Sequence, residues 1–167
     1  MPTQKLQPSR ALPVIPSDDA NVPTPNLLVS GTTTSVIFPT QLIDSNANFI
    51  ITTPTGVQYT VNVGDVVNTS FGAATIIEVV NATTLNVNAG IFGLSSLVYS
   101  IYQDGAPTGL GNQGAVLYIG GAGNLKVTTS GNDIVTFAGI QAGTFFPVNV
   151  VKVWSAGTDC TEIIALW

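Results

Sequence analysis

The sequence has no histidine, one cysteine (Cys160) and only four basic residues, Lys5, Arg10, Lys126 and Lys152. Each shortage closes off a class of chemistry. Without histidine the chain lacks the commonest general base and the commonest zinc ligand, and no Ser-His-Asp or Cys-His relay can be built. A lone cysteine cannot close an intrachain disulfide. No lysine or arginine falls between positions 11 and 125. Nucleic acid is therefore not an expected partner, because neutralising several phosphates takes a comparable number of cations. Apolar runs such as AVLYI (115–119) are far shorter than the roughly 18 residues of a membrane-spanning helix. Prolines break the opening MPTQKLQPSRALPVIP, which has no apolar signal core. Neither a signal peptide nor a membrane partner is expected.

Charged residues make up 8% of the chain and apolar residues 45%, with a formal net charge of −5. Ordinary domains carry about 25% charged residues, and a freely diffusing monomer stays soluble through them. Here Thr, Asn, Ser, Gln and Gly must cover the surface. Self-assembly, or burial in a larger particle, is the favoured reading. A neutral, Thr/Asn-rich β protein is the plainer alternative.

Residues 1–26 hold six of the ten prolines. Proline fixes φ and lacks an amide donor, so this segment should be an extended arm rather than a continuous strand or helix. Its apolar residues, among them Leu6, Leu12, Val14 and Ile15, should lie on the chain's own domain or on a neighbour. Residues 27–103 read as short β-branched and aromatic strands divided by turn formers. The candidates are TSVIF (34–38), NFIITT (48–53), VQYTVNV (57–63), DVVN (65–68), AATIIEVV (73–80), TLNVN (84–88) and LVYSIY (97–102). VGDVVNTSFGAATIIEVV should form a hairpin, and the whole piece a small five- or six-stranded barrel. Residues 104–114 are a Gly-rich linker by composition. Strands resume at 115–120, 124–129, 133–139, 144–154 and 162–167. SGND (130–133) should turn a hairpin with Gly131 at positive φ, and Pro147 should mark an edge or a strand start. No window has sustained helical periodicity. The expected fold is all-β: a small sandwich or barrel outer domain, an inserted small barrel and the proline-rich arm.

GLGNQG (109–114) matches the G-x-G-x-x-G dinucleotide fingerprint, and Asp133 lies about 20 residues further on, as that fingerprint asks. The motif must also open a helix whose amides meet the pyrophosphate. AVLYIGG follows instead, which reads as a strand, so no nucleotide site is expected. The nine carboxylates lie mostly at turns, where aspartate bonds its own backbone. Asp44 in LIDSNAN could ligate Ca²⁺, yet no other acid stands at ligand spacing. A glycosidase would need two carboxylates facing across a sugar cleft, which nothing in the pattern favours. Cys160, between Asp159 and Glu162, should be a structural thiol with raised pKa. NTS (68–70) and NAT (81–83) fit the N-glycosylation pattern but carry little weight in so Asn- and Thr-rich a chain. No catalytic residue, metal or cofactor is expected. Trp154 and Trp167 are either core packing or interface anchors, and Trp167 should dock rather than dangle.

The segment AVLYIGGAGNLKVTTSGNDIVTFAGIQAGTFFPVNVVKVWSAGTDCTEIIALW, together with VIPSDDANVPTP (14–25), resembles the spike base proteins of tailed phages and gene transfer agents. The matching phrases are LYIGGAGNLKV, GNDIVTF, QAGTFFPVNVVKVW and the terminal IIALW, in order, over about 75 residues. TDCTE departs from the simpler Thr-rich turn of the pattern. The resemblance implies that residues 27 to about 110 are an insertion, so that the outer domain joins the arm to 111–167. It also implies a virion protein on the capsid exterior, made in the host cytoplasm, acting as decoration, cement or head-spike base. Its partners would be the major capsid protein, its own copies as a trimer or pentamer, and a spike or fibre protein. Lys5, Leu6, Arg10, Leu12, Val14, Ile15, Trp154 and Trp167 are the candidate assembly residues. On this reading residues 1–16 form a latch that can be removed without unfolding the protein. The rival reading makes 27–103 a glycan- or receptor-binding module of a fibre. Its stacking platforms would be Phe49, Tyr59, Phe71, Phe92, Tyr99 and Tyr102.

Overall fold

A computed structural model of the chain describes residues 8–103 and 113–167. Every regular element among them is a strand. The chain builds two six-stranded curled sheets and a separate hairpin, each sheet with its own apolar core.

The first sheet has the order β1-β14-β10-β13-β11-β12. Its strands are β1 (Ala11–Pro13), β10 (Ala115–Gly121), β11 (Gly123–Thr129), β12 (Ile134–Ile140), β13 (Thr144–Val153) and β14 (Thr161–Leu166). All pairings are antiparallel. Period-two alternation explains the inner face: Leu117, Ile119, Leu125, Val127, Ile163 and Ala165 are buried together, while Tyr118, Lys126 and Ile164 on the other face are less so. At about 1.5–3 kcal/mol for each fully buried aliphatic side chain, this face supplies most of the drive to form the sheet.

The β11–β12 hairpin forms over the expected residues, with a correction at its turn. Asn132, with φ 67°, takes the left-handed position that had been expected of Gly131. The amide of Asn132 donates to the Thr129 carbonyl, and the Thr129 amide to the Asp133 carbonyl. Asparagine tolerates this conformation better than other L-residues do. Pro147 lies inside the ten-residue β13, at a stretch that β11 does not reach, since their pairing runs only over Val150–Val153, so one side of the strand is open there as an edge position asks. There β10 pairs Leu117 with Phe146 and then Ala115 with Val150, so extra β13 residues bulge out at the proline. A bulge, like an edge, asks for no amide donor.

The second sheet has the order β2-β9-β6-β7-β8-β3. It comprises β2 (Leu27–Thr32), β3 (Gln41–Ile43), β6 (Val66–Thr69), β7 (Gly72–Asn81), β8 (Thr84–Val87) and β9 (Val98–Tyr102). The hairpin β4 (Ile50–Thr53) with β5 (Gly56–Tyr59) stands apart from it. Ser35 bridges Ile43 and the Thr34 amide donates to the Ile43 carbonyl. The chain just beyond edge strand β2 thus meets edge strand β3, and the sheet curls towards closure around Leu42, Phe49, Val67, Ile76, Leu85, Tyr99 and Ile101. TSVIF is not a strand, contrary to its composition. It makes that single bridge and leaves Ile37 and Phe38 exposed, with Pro39 barring continuation. β2 and β3 form from LLVSGT and QLI, stretches outside the expected strands.

Candidate assembly surface

The arm is sewn to its own chain. β1 pairs with β14, placing Ala11 opposite Leu166 and Pro13 opposite Ile164. The amides of Ser9 and Arg10 donate to the Trp167 carbonyl and the Trp167 amide to the Arg10 carbonyl, while Val14 reaches Ile163, Ser17 Val153 and Val22 Val151. Arg10 adds guanidinium hydrogen bonds to the Asn26 side chain and the Pro25 carbonyl. The prolines thus fall where no donor is needed, and the residues between them supply the bonds.

This placement bears on the candidate residues one by one. Leu12 is buried, and Val14 packs on the first core. Ile15 joins Ala20, Val66 and Ala73 in a small cluster between the two sheets. These three are therefore partly taken up within the chain, with Val14 and Ile15 left half-buried. Removing residues 1–16 would strip an edge strand and a buried leucine, so such a truncation would bear on folding as well as on binding. Trp167 docks against the first core. Lys5 and Leu6, and residues 104–112 of the linker, lie outside the described residues.

Trp154 sits half-buried on the outer face. Its Nε1–H donates to Thr128 Oγ1 at 2.9 Å, and the ammonium groups of Lys152 and Lys126 lie 4.2 Å and 4.9 Å from the ring centroid. Cations at that range are held by the ring's electron-rich face. Lys152 also donates to the Asp18 carbonyl at 2.6 Å, and the Ala156 amide to Asp18 Oδ1 at 3.1 Å. The Ala156 amide, then the Ser155 side chain, hold the Asp18 carboxyl below its usual value of 3.8. Two of the three described cations are thereby tied to one indole and to the arm.

Ser17 Oγ donates to the Ala73 carbonyl, and the Asp19 carbonyl accepts from Thr75 and Asn88. The arm therefore also bonds to the second sheet. Beside that junction runs a groove of about 620 Å³ between Leu12, Pro13 and Ile15 on one side and strands β6 and β9 on the other. Its second wall presents Asn68, Ser100 and Tyr102. The buried side-chain oxygen of Asn68 has no hydrogen-bond partner among the described residues. Sequence reasoning missed this groove, because its two walls lie more than fifty residues apart.

The proposed stacking aromatics divide sharply. Phe49, Phe92 and Tyr99 are core residues, so they are not platforms; Tyr59 and Phe71 are exposed and Tyr102 is half-buried. Asp44, the calcium candidate, is buried. It accepts from Tyr99 Oη at 2.7 Å and from the Asn46 amide at 2.9 Å, and no cluster of acids able to hold a metal occurs among the described residues. The Cys160 thiol is pushed up first by burial and then by the Asp159 charge. Gly114, at φ 72°, packs against the Val150 backbone and opens strand β10, so GLGNQG does not lead into the helix that a pyrophosphate requires.

Several large apolar side chains remain outside. Ile37, Phe38, Val57, Tyr59, Val63, Phe71, Ile77, Leu94, Val98, Ile134 and Phe145 are all exposed. No family model, curated protein or solved structure matches the chain.

Proposed function

We propose that the chain is a non-enzymatic structural subunit that assembles through its β surfaces on the outside of a phage capsid. In this role it binds the major capsid protein and its own copies, as decoration, cement or head-spike base. The observation that carries the assembly reading is the exposed apolar surface on a chain with 8% charged residues. Interface cores are depleted of charge and enriched in aromatic residues, and Phe38, Tyr59, Phe71 and Phe145 all stand exposed. The capsid as destination rests on the resemblance of 115–167 and VIPSDDANVPTP to spike base proteins. Imaging of particles from the encoding genome tests it. The expected result is density for this fold on the outer shell at a fixed number of copies per vertex or facet. Purified particles that lack the chain would overturn it.

A second reading has its own observation, the groove with the unpartnered Asn68 oxygen. No charged side chain among the described residues lines it, and its hydroxyls and Tyr102 suit a neutral polyhydroxylated ligand such as a glycan. A glycan array probed with the whole chain and with Asn68→Leu tests this; equal signal from both would count against the groove.

A further inference from the structure

Strand β12 forms one border of the first sheet, and its outer side is unpaired among the described residues. The hydrogen bond from the Thr129 amide to the Asp133 carbonyl fixes the phase of the hairpin. In an antiparallel pair, bonded and non-bonded residue pairs alternate. Thr128–Ile134 and Lys126–Thr136 are therefore non-bonded pairs, and the amides and carbonyls of Ile134 and Thr136 point to the open side. Proteins usually guard such an edge with charge or proline. IVTFAGI (134–140) has neither, and Ile134 is 58% and Val135 38% exposed. The core is also unfinished here: Phe137, set edge-on to Phe146 at 4.7 Å, is only half-covered.

We infer that β12 pairs antiparallel with β12 of a second copy about a two-fold axis at Thr136, joining two first sheets into one. The register follows from the side chains. Gly139, at φ 67°, and the bulge beside Asn124 end the regular edge after Ala138. Centring 134–138 on itself sets Thr136 against Thr136, Ile134 against Ala138 and Val135 against Phe137. All the outward backbone groups then meet. The joined core face gains two β-branched–aromatic pairs in all and the outer face a Thr–Thr pair, the combinations that stabilise adjacent strands. Charge favours a second copy as occupant. The strand brings none, and the nearest acid, Asp133, would stand about 20 Å from its mate at 3.3 Å per residue, beyond the roughly 8 Å screening length at physiological salt. The pairing concerns the isolated protein and does not depend on a capsid.

Single cysteines test the register. Across a central bonded pair the Cα atoms are about 5.5 Å apart, inside disulfide range, and Cys160 is buried. Under mild oxidation Thr136→Cys should convert mostly to a cross-linked dimer. Ile134→Cys alone should not, because its mate lies about four residue rises away, whereas mixing Ile134→Cys with Ala138→Cys should restore the cross-link. In parallel, sedimentation velocity should show Thr136→Lys and Thr136→Glu each shifted to monomer by tenfold or more in dissociation constant, and their mixture paired again. Thr136 is exposed, and unchanged thermal melting of each variant checks its folding. A wild-type chain monomeric at 100 μM, or equal cross-linking of Thr136→Cys and Ile134→Cys, would overturn the inference.

Discussion

Replacing Tyr99 by phenylalanine deletes one oxygen from the second core and leaves its packing in place. Tyr99 is 1% exposed and its hydroxyl donates to Asp44 Oδ2 at 2.7 Å. Removing the donor deprives a buried carboxylate of one partner, while Oδ1 keeps the Asn46 amide. A hydrogen bond to a charged group contributes about 1.5–3 kcal/mol net, so a loss of about 2 kcal/mol is expected. For a chain of 167 residues, about 2–4 °C per kcal/mol converts that to a fall of about 4–8 °C in the far-ultraviolet circular-dichroism transition. Trp154 and Trp167 both belong to the first sheet's side, so their fluorescence reports on that sheet separately. Asp44→Asn closes a double-mutant cycle. If Tyr99→Phe costs as much in the Asp44→Asn background as in the wild type, or lowers the transition by less than about 3 °C, the hydrogen bond does not hold this core. The alkaline limb gives an independent sign. Burial first, and the bond to Asp44 next, push the Tyr99 hydroxyl above its usual value of 10.0. Its contribution is therefore full below pH 10 and is lost as pH climbs beyond it. Tyr99→Phe should flatten that decline.

Leu12→Asp should destabilise the first sheet by about 2–4 kcal/mol, because it places a charge where β1 closes the core; urea denaturation followed by tryptophan fluorescence measures this. Gly123→Ala should cost more than about 2 kcal/mol, since its φ is +158° and a Cβ would meet the Asp159 carbonyl carbon at 2.8 Å. Asn132→Gly should leave the β11–β12 turn as stable as before or slightly more so, whereas Asn132→Val should cost about 1–2 kcal/mol, both read from thermal melts. Cys160 should react with a thiol reagent at pH 8 at least tenfold slower in native protein than in 6 M guanidinium, its thiol being both buried and raised in pKa.

Period-two alternation made AVLYIG, NLKVTT and EIIALW readable as strands, because each buries one face on a shared core. TSVIF has the same composition without such a face, and its apolar side chains end outside. LLVSGT and QLI were hidden for the opposite reason: they are short border strands whose burial depends on partners far away in sequence. Prolines in the arm signalled an extended chain correctly. They could not signal which surface it follows, since that is decided by carbonyls at Val151, Val153, Ile163 and Trp167. Likewise, no local pattern brings Tyr99 to Asp44 or Asn68 to Leu12.

The seam between β1 and β14 also sets a timetable. On the ribosome β1 emerges first of the fourteen strands among the described residues and β14 last, with the whole second sheet made in between. That sheet can fold once Tyr102 is clear of the exit tunnel, whereas β1 has no partner strand until residues 161–166 appear. Closing so long a loop costs little more than closing one half its length, but it cannot begin early. Strand β1 must therefore wait for its partner through most of synthesis, while the residues after it can already bond to the second sheet, and the earliest of these strands is among the last to be fixed.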